Sequence, residues 1–206
     1  MTNLIHVIPN FVDTEDAELW IKEADHPSSR EDYPDYYNDR FGGTALPYNE
    51  NTRYLNKKYG RKAAEYVKQL YGFKSPVHVY KVFMNHTTDV GYSGGVHTDS
   101  VDPEPWIEWS AVLYLDDKFT GANLHFPNQD YIHIPKPLEA VIFPSSGTSH
   151  LHGISEMKSG ERYSIVVCLT SLPWKADPDM LESDDNMDYV GGLWDMEEEE
   201  KKRGMA

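Results

Sequence analysis

His97 and Asp99, separated only by Thr98, are the residues whose types and spacing most directly suggest chemistry. In an extended segment alternate side chains share a face, so this imidazole and carboxylate project together. Side by side they can occupy two adjacent positions on one metal. A second imidazole would complete the two-histidine, one-carboxylate face that holds non-haem iron(II) with open positions. His125, His133, His150 and His152 are available for that role. His150 and His152 lie two apart in Ser149-His150-Leu151-His152-Gly153-Ile154, and in a strand both would point the same way, so alternation does not choose between them. Further on stands Glu161-Arg162-Tyr163-Ser164. A buried arginine one strand beyond the metal ligands calls for a carboxylate, because its planar fork pairs bidentately. Ser164 falls on the same side and can donate to the same group. A metal triad with an inward Arg-x-Ser describes a site for a metal-bound dicarboxylate.

The elements that must position these residues read as follows. Leu4 to Ile8 alternates like a short strand. Asp13 or Thr14 can cap a helix with Glu15 and Asp16 in its first turn. Ala17, Trp20, Ile21 and Ala24 give that helix one apolar face, and His26-Pro27 ends it. Residues 28–50 show no clean period and are rich in tyrosine and turn formers, which predicts a surface loop with locally packed tyrosines or a substrate-contacting arm. A second helix is expected within residues 50–71, with Ala63, Val67, Leu70 and Tyr71 on one face and Gly72 at its end. Val77 to Phe83 alternates like a strand. Short runs at Ser110 to Leu115, Ala122 to Phe126, Ala140 to Phe143 and Tyr163 to Thr170 follow, parted by turn residues. Many short strands predict a double-sheet jelly roll, mainly β, with the two early helices covering one sheet.

Composition bounds the rest. With 206 residues, one domain with arms is expected, spanning residues 1–174. From residue 175 the chain turns acidic and reads as a solvated tail, which Tyr189, Leu193 and Trp194 can pin in part. A formal net charge of -15 argues against a nucleic-acid backbone as main partner. Cys168 is the only cysteine, so no intramolecular disulfide forms. The N-terminus lacks the features of a signal peptide and no stretch is long and apolar enough to span a bilayer, so a soluble cytoplasmic protein is expected.

His97-Thr98-Asp99, Tyr114-Leu115, Gly121-Ala122-Asn123-Leu124-His125-Phe126, His152 and Arg162-Tyr163-Ser164 together resemble the Fe(II)/2-oxoglutarate dioxygenases, and most nearly the prolyl 4-hydroxylase-like branch. The resemblance covers about Val77 to Thr170, and more weakly the N-terminal strand and helix. In that branch a His-x-Asp is followed by a distal histidine and then, about ten positions on, a basic residue. The spacing of His152 and Arg162 fits that order and selects His152 over His150. The resemblance implies a double-stranded β-helix (a cupin-like jelly roll). It also implies that His97, Asp99 and His152 bind Fe(II) and that Arg162 pairs with the distal carboxylate of 2-oxoglutarate. Tyr114 would hydrogen-bond the same carboxylate, Ser164 would assist, and Tyr80 would line the pocket. The implied reaction consumes O2 and 2-oxoglutarate, releases succinate and CO2, and hydroxylates an unactivated C–H bond, with ascorbate as reductant.

Two departures bear on substrate. Prolyl hydroxylases commonly carry an arginine seven residues before the tyrosine, where Ile107 stands here, and a tryptophan six residues after the basic residue, where Cys168 stands. Trp106 and Trp109 are the neighbours that can replace those contacts. A prolyl residue in a peptide or protein is the leading substrate. A free amino acid, another small metabolite, or a non-catalytic binding module on the same fold are the alternatives. A zinc hydrolase would leave Arg162 without a role. His78, His86, His125, His133 and His150 read as structural or exposed, and Asp102, Glu104 and Glu108 as a solvated loop.

Overall fold

The computed structural model describes residues 4–25, 50–101 and 104–181. The tyrosine-rich stretch through residue 49, Asp102, and the acidic tail from residue 182 lie outside the described residues.

Strand β1 (His6–Ile8) leads into helix α1 (Thr14–Asp25), and helix α2 (Glu50–Tyr71) follows. Glu15 and Asp16 occupy the first turn of α1, where negative charge complements the helix dipole. Ala17, Trp20 and Ala24 are its buried residues. On α2 the buried Leu55, Tyr59, Ala63 and Val67 recur every four residues and form one stripe. The two helices are tied where they meet: the Tyr59 hydroxyl donates to Asp16 at 2.6 Å, and Lys58 reaches Asp13 at 2.7 Å and Asp16 at 2.6 Å. Gly72 takes the left-handed conformation (φ 71°) that closes α2.

The strands are β2 (His78–Thr87), β3 (Gly94–His97), β4 (Trp109–Tyr114), β5 (Phe119–Gly121), β6 (Leu124–Phe126), β7 (Tyr131–His133), β8 (Ala140–Pro144), β9 (His152–Ile154), β10 (Met157–Gly160) and β11 (Arg162–Thr170). A short helix α3 (Pro178–Leu181) comes last. The major sheet has the order β1-β8-β4-β11-β2, the minor sheet β3-β9-β6-β7, and β5 pairs with β10. All the pairings are antiparallel. This is the expected jelly roll.

The period of two sorts the major sheet into two faces. Ala111, Leu113, Ala140, Ile142, Ile165, Val167 and Leu169 pack with Trp20, Leu55, Tyr59 and Val67 under the helices. Val112, Tyr114, Val141, Phe143, Val166 and Cys168 turn the other way and pack with Leu124 and Phe126 of the minor sheet. A bulge opposite Cys168 and Leu169 shifts the β2 register, so that Lys81 pairs with Cys168 while Val79 pairs with Leu169. Tyr80 and Phe83 pack into the core between the sheets.

Three local outcomes differ from the sequence expectation. β2 continues to Thr87, because β11 offers it a partner along its whole length. The run from Ala122 to Phe126 begins as a strand only at Leu124. Gly121 and Ala122 both have positive φ (75° and 48°), which turns the chain between β5 and β6. The body also extends beyond Trp174: Asp177 donates its N–H to the Val79 carbonyl at 2.8 Å, and Asp179 pairs with Arg53 at 2.9 Å. Among the described residues no helix is long and apolar enough to cross a membrane.

Candidate active site

His97 ends β3 and His152 begins β9, and the two are register partners. Strand pairing therefore sets the two imidazoles side by side, with ring centroids 4.5 Å apart. Asp99 lies beyond the end of β3, so strand alternation does not bring it to His97. The chain leaves the minor sheet at this point and is caught by Ser145, just past the end of β8. The Thr98 hydroxyl makes a short hydrogen bond to the Ser145 carbonyl, and the Ser100 N–H donates to the same oxygen at 3.3 Å. That crossing swings the Asp99 carboxylate over both rings, with Oδ1 3.4 Å from His97 Nε2 and 3.5 Å from His152 Nε2. His97, Asp99 and His152 present ligand atoms within 4.8 Å of one another, the one group of this kind among the described residues.

The surroundings fix which atoms are offered. His97 Nδ1 lies 2.7 Å from the Gly95 carbonyl, and His152 Nδ1 lies 3.3 Å from the His150 carbonyl. A carbonyl can only accept, so each Nδ1 carries the proton and each Nε2 is left as a free lone pair. The Ser110 hydroxyl donates to Asp99 Oδ2 at 2.5 Å, and the Ser145 hydroxyl donates to Ser110 at 2.5 Å. Asp99 Oδ1 thus remains available to a metal. Burial works to raise the Asp99 carboxyl, but while the imidazoles are protonated their hydrogen bonds, together with that from Ser110, outweigh it and hold the group well below the usual carboxylate range. Phe143 packs edge-on to His152 at 4.7 Å between centroids, which keeps that ring from turning.

From the triad, the inward face of β4 and β11 leads to the remaining predicted residues. Ser164 and Tyr114 are register partners, and Arg162 lies two residues further along the same face. Arg162 is 2 % exposed and Tyr114 is fully buried, with the guanidinium carbon 5.4 Å from the phenol ring centroid. Arg162 Nε and the Tyr114 hydroxyl are both buried with no hydrogen-bond partner among the described residues. Unsatisfied donors buried together are costly unless an acceptor completes them. A carboxylate has the charge and the geometry to do so. Burial raises the Tyr114 phenol, with the Arg162 charge pulling the other way, so Tyr114 stays a donor. Ser164 faces the same space, and its hydroxyl is 3.5 Å from the Asn85 carbonyl. Tyr80 lies on the inner face of β2, where its hydroxyl donates to Glu104 at 2.8 Å and its ring meets Trp106 edge-on at 5.7 Å.

The other candidates fall outside this arrangement. His150 precedes β9, so its side chain is not in step with His152. It is buried, with Nδ1 3.0 Å from the Ser149 hydroxyl, and its carbonyl meets His152 Nδ1. His133 is buried against Glu139 at 2.6 Å. His86 stacks on Tyr163 at 4.1 Å between centroids and meets Glu161 at 3.2 Å. His125 lies against Gly153, where a Cβ would come within 2.8 Å of its Nε2. Trp109 belongs to the core under the helices, packed on Phe73 at 4.8 Å between centroids, and so cannot replace a substrate contact. Ile107 and Cys168 are buried together between the sheets.

Sequence reasoning missed Ser110 and Ser145. Ser110 is a small polar residue at an inward position of β4, in step with Val112 and Tyr114, and a hydroxyl placed in that alternation needs a partner. Glu104, read as part of a solvated loop, is instead tied to β2 through Tyr80 and Lys81.

No family model matches the chain. Over 83 residues it is 34 % identical to prolyl 3-hydroxylase 1 of human, rat and mouse, an alignment covering 38 % of this chain. The chain spans about 11 % of the length of those curated relatives. Among solved structures, the viral collagen prolyl hydroxylase of Paramecium bursaria Chlorella virus-1 superposes with a TM-score of 0.63 at 14 % identity, covering 83 % of this chain and 97 % of that one. A 2OG-Fe(II) oxygenase family protein of Burkholderia pseudomallei gives 0.63 at 15 % identity, covering 83 % of this chain and 86 % of the other. A prolyl-4-hydroxylase of Pseudomonas putida gives 0.55 at 16 %, covering 82 % and 93 %. The chain has the fold of these proteins.

Proposed function

We propose that the chain is an Fe(II)- and 2-oxoglutarate-dependent dioxygenase that hydroxylates an unactivated C–H bond, with a prolyl residue in a peptide or protein as leading substrate. The observation that carries this reading is the pairing of two sites in the space between the two sheets. A triad of Nε2, Nε2 and Oδ1 atoms lies at one end, and the buried, partnerless Arg162 Nε and Tyr114 hydroxyl lie at the other. The donor set of two neutral imidazoles and one carboxylate suits Fe(II). When bound, the iron and 2-oxoglutarate supply oxidising power by coupling O2 reduction to release of succinate and CO2.

The residues of the chain bind and orient. His97, Asp99 and His152 would hold the metal. The Gly95 and His150 carbonyls keep both ligand tautomers, and Ser110 keeps the Asp99 carboxylate turned. Arg162 and Tyr114 fix the distal carboxylate of 2-oxoglutarate, with Ser164 beside them. Val112, Val141, Phe143 and Val166 wall the space between the sheets with apolar surface, which excludes water. No general base is needed from the protein.

The similarity to prolyl 3-hydroxylase 1 supports a prolyl substrate, while Ile107 and Cys168 allow for a different one. The test is to incubate the chain with Fe(II), ascorbate and 2-oxoglutarate together with peptides and cell extracts. Succinate should form in step with a product heavier by one oxygen. Activity restored by zinc in place of iron, or no 2-oxoglutarate consumption, would overturn the assignment.

A further inference from the structure

The segment joining Asp99 to β4 passes beside the metal site and is fastened on both sides. The Ser100 hydroxyl donates to the Pro105 carbonyl at 2.7 Å, folding the segment on itself. Glu104 then reaches across to β2. Its Oε1 accepts from the Tyr80 hydroxyl at 2.8 Å and from Lys81 Nζ at 2.8 Å, and its Oε2 accepts from Lys81 Nζ at 2.6 Å. Trp106 lies beneath, edge-on to Tyr80, with Lys175 Nζ 3.7 Å from its ring centroid.

Register places this latch on the working face. Ser110, which holds Asp99, pairs with Cys168, and Cys168 pairs on its other side with Lys81. Lys81 therefore lies two strands from Ser110, roughly 10 Å across the same face. It stands beside Cys168, which is buried. Its side chain is 37 % exposed, and that of Glu104 is 29 % exposed, so a substrate can reach both.

An ammonium has three donors, and Glu104 takes two of those on Lys81. One N–H is left. Because Glu104 already balances the charge, the pair offers a hydrogen bond without a net charge. Such a group suits a neutral acceptor better than a carboxylate, and both Glu104 oxygens are already engaged against a cationic ligand. We propose that the Lys81–Glu104 pair is the substrate-reading element of this site and that it takes a main-chain carbonyl of a peptide. The inference rests on the oxygenase reading above and names its substrate class.

The probes are blocked proline-containing decapeptides and free L-proline, assayed by succinate release with Fe(II), ascorbate and 2-oxoglutarate. For a stimulating peptide, Lys81→Met should raise the half-saturating concentration about tenfold or more without a matching rise for 2-oxoglutarate. Lys81→Arg should stay within a few-fold of wild type. Glu104→Gln unmasks the Lys81 charge and should shift preference toward free L-proline, a change that a merely structural role would not produce. The inference is overturned by equal peptide dependence in Lys81→Met, by free L-proline saturating the wild type as well as blocked peptides do, or by no peptide stimulating a wild type that turns over 2-oxoglutarate. A wild type that never consumes 2-oxoglutarate sinks the oxygenase reading instead. Calorimetry of peptide binding to wild type and Lys81→Met then still decides this inference, and equal or absent binding counts against it.

Discussion

The two ends of β11 put the same inward face to different uses. At Arg162 the face is polar and buried: a guanidinium nitrogen and a phenol hydroxyl have no hydrogen-bond partner among the described residues. At Cys168 it is apolar and closed, with Ile107 packed beside it and burial pushing the thiol up, away from thiolate chemistry. Polar groups buried without partners are tolerated where a ligand supplies the missing half. An apolar, satisfied patch asks for nothing. On the proposed function, the contrast separates co-substrate binding, assigned to β11, from substrate reading, assigned to β2 and the segment after Asp99.

The sharpest way to break this picture is at the triad. Asp99→Ala should abolish Fe(II) retention and lower succinate formation on the order of a thousandfold; metal content by elemental analysis checks it. Next is the polar end. Arg162→Ala should raise the 2-oxoglutarate concentration for half-maximal turnover roughly thirtyfold or more, since a charge-assisted pair is lost, while iron content holds. Unaltered 2-oxoglutarate dependence would show that another group carries that carboxylate. Ser110→Ala removes the hydrogen bond that turns Asp99 and should weaken iron binding about tenfold in a competition titration. At the closed end, Ile107→Val should cost only about 1 kcal/mol of stability, read from denaturant unfolding, with 2-oxoglutarate dependence unmoved. Smallest of all is His150→Ala: iron should stay bound, because only the main-chain carbonyl of that residue serves His152.

The fold was legible because its determinants are periodic. Trp20 and Ala24 mark the buried face of α1, and the alternation of Ser110 to Tyr114 separates the two faces of the major sheet. Arg162, Ser164 and Tyr114 share a face for the same reason. The triad was legible in membership but not in mechanism. His97 and Asp99 meet through a crossing fixed by Thr98 and Ser145, a tertiary event that no local period encodes. His150 and His152 could not be told apart by alternation, because β9 begins only at His152. The Lys81–Glu104 latch joins residues 23 apart in sequence, one on a strand and one on the segment after Asp99, so the pairing itself was invisible.

The placement of β11 has a consequence for the metal-free protein. All nine of its residues are buried, and it is hydrogen-bonded to β2 on one side and β4 on the other. Its amides should therefore be among the slowest to exchange with deuterated solvent. The triad residues come from a short strand end, a crossing and a three-residue strand. If the triad holds iron as proposed, stripping the metal should loosen that rim and leave the Arg162–Tyr114 cradle standing, so that adding metal back restores the centre without refolding the chain.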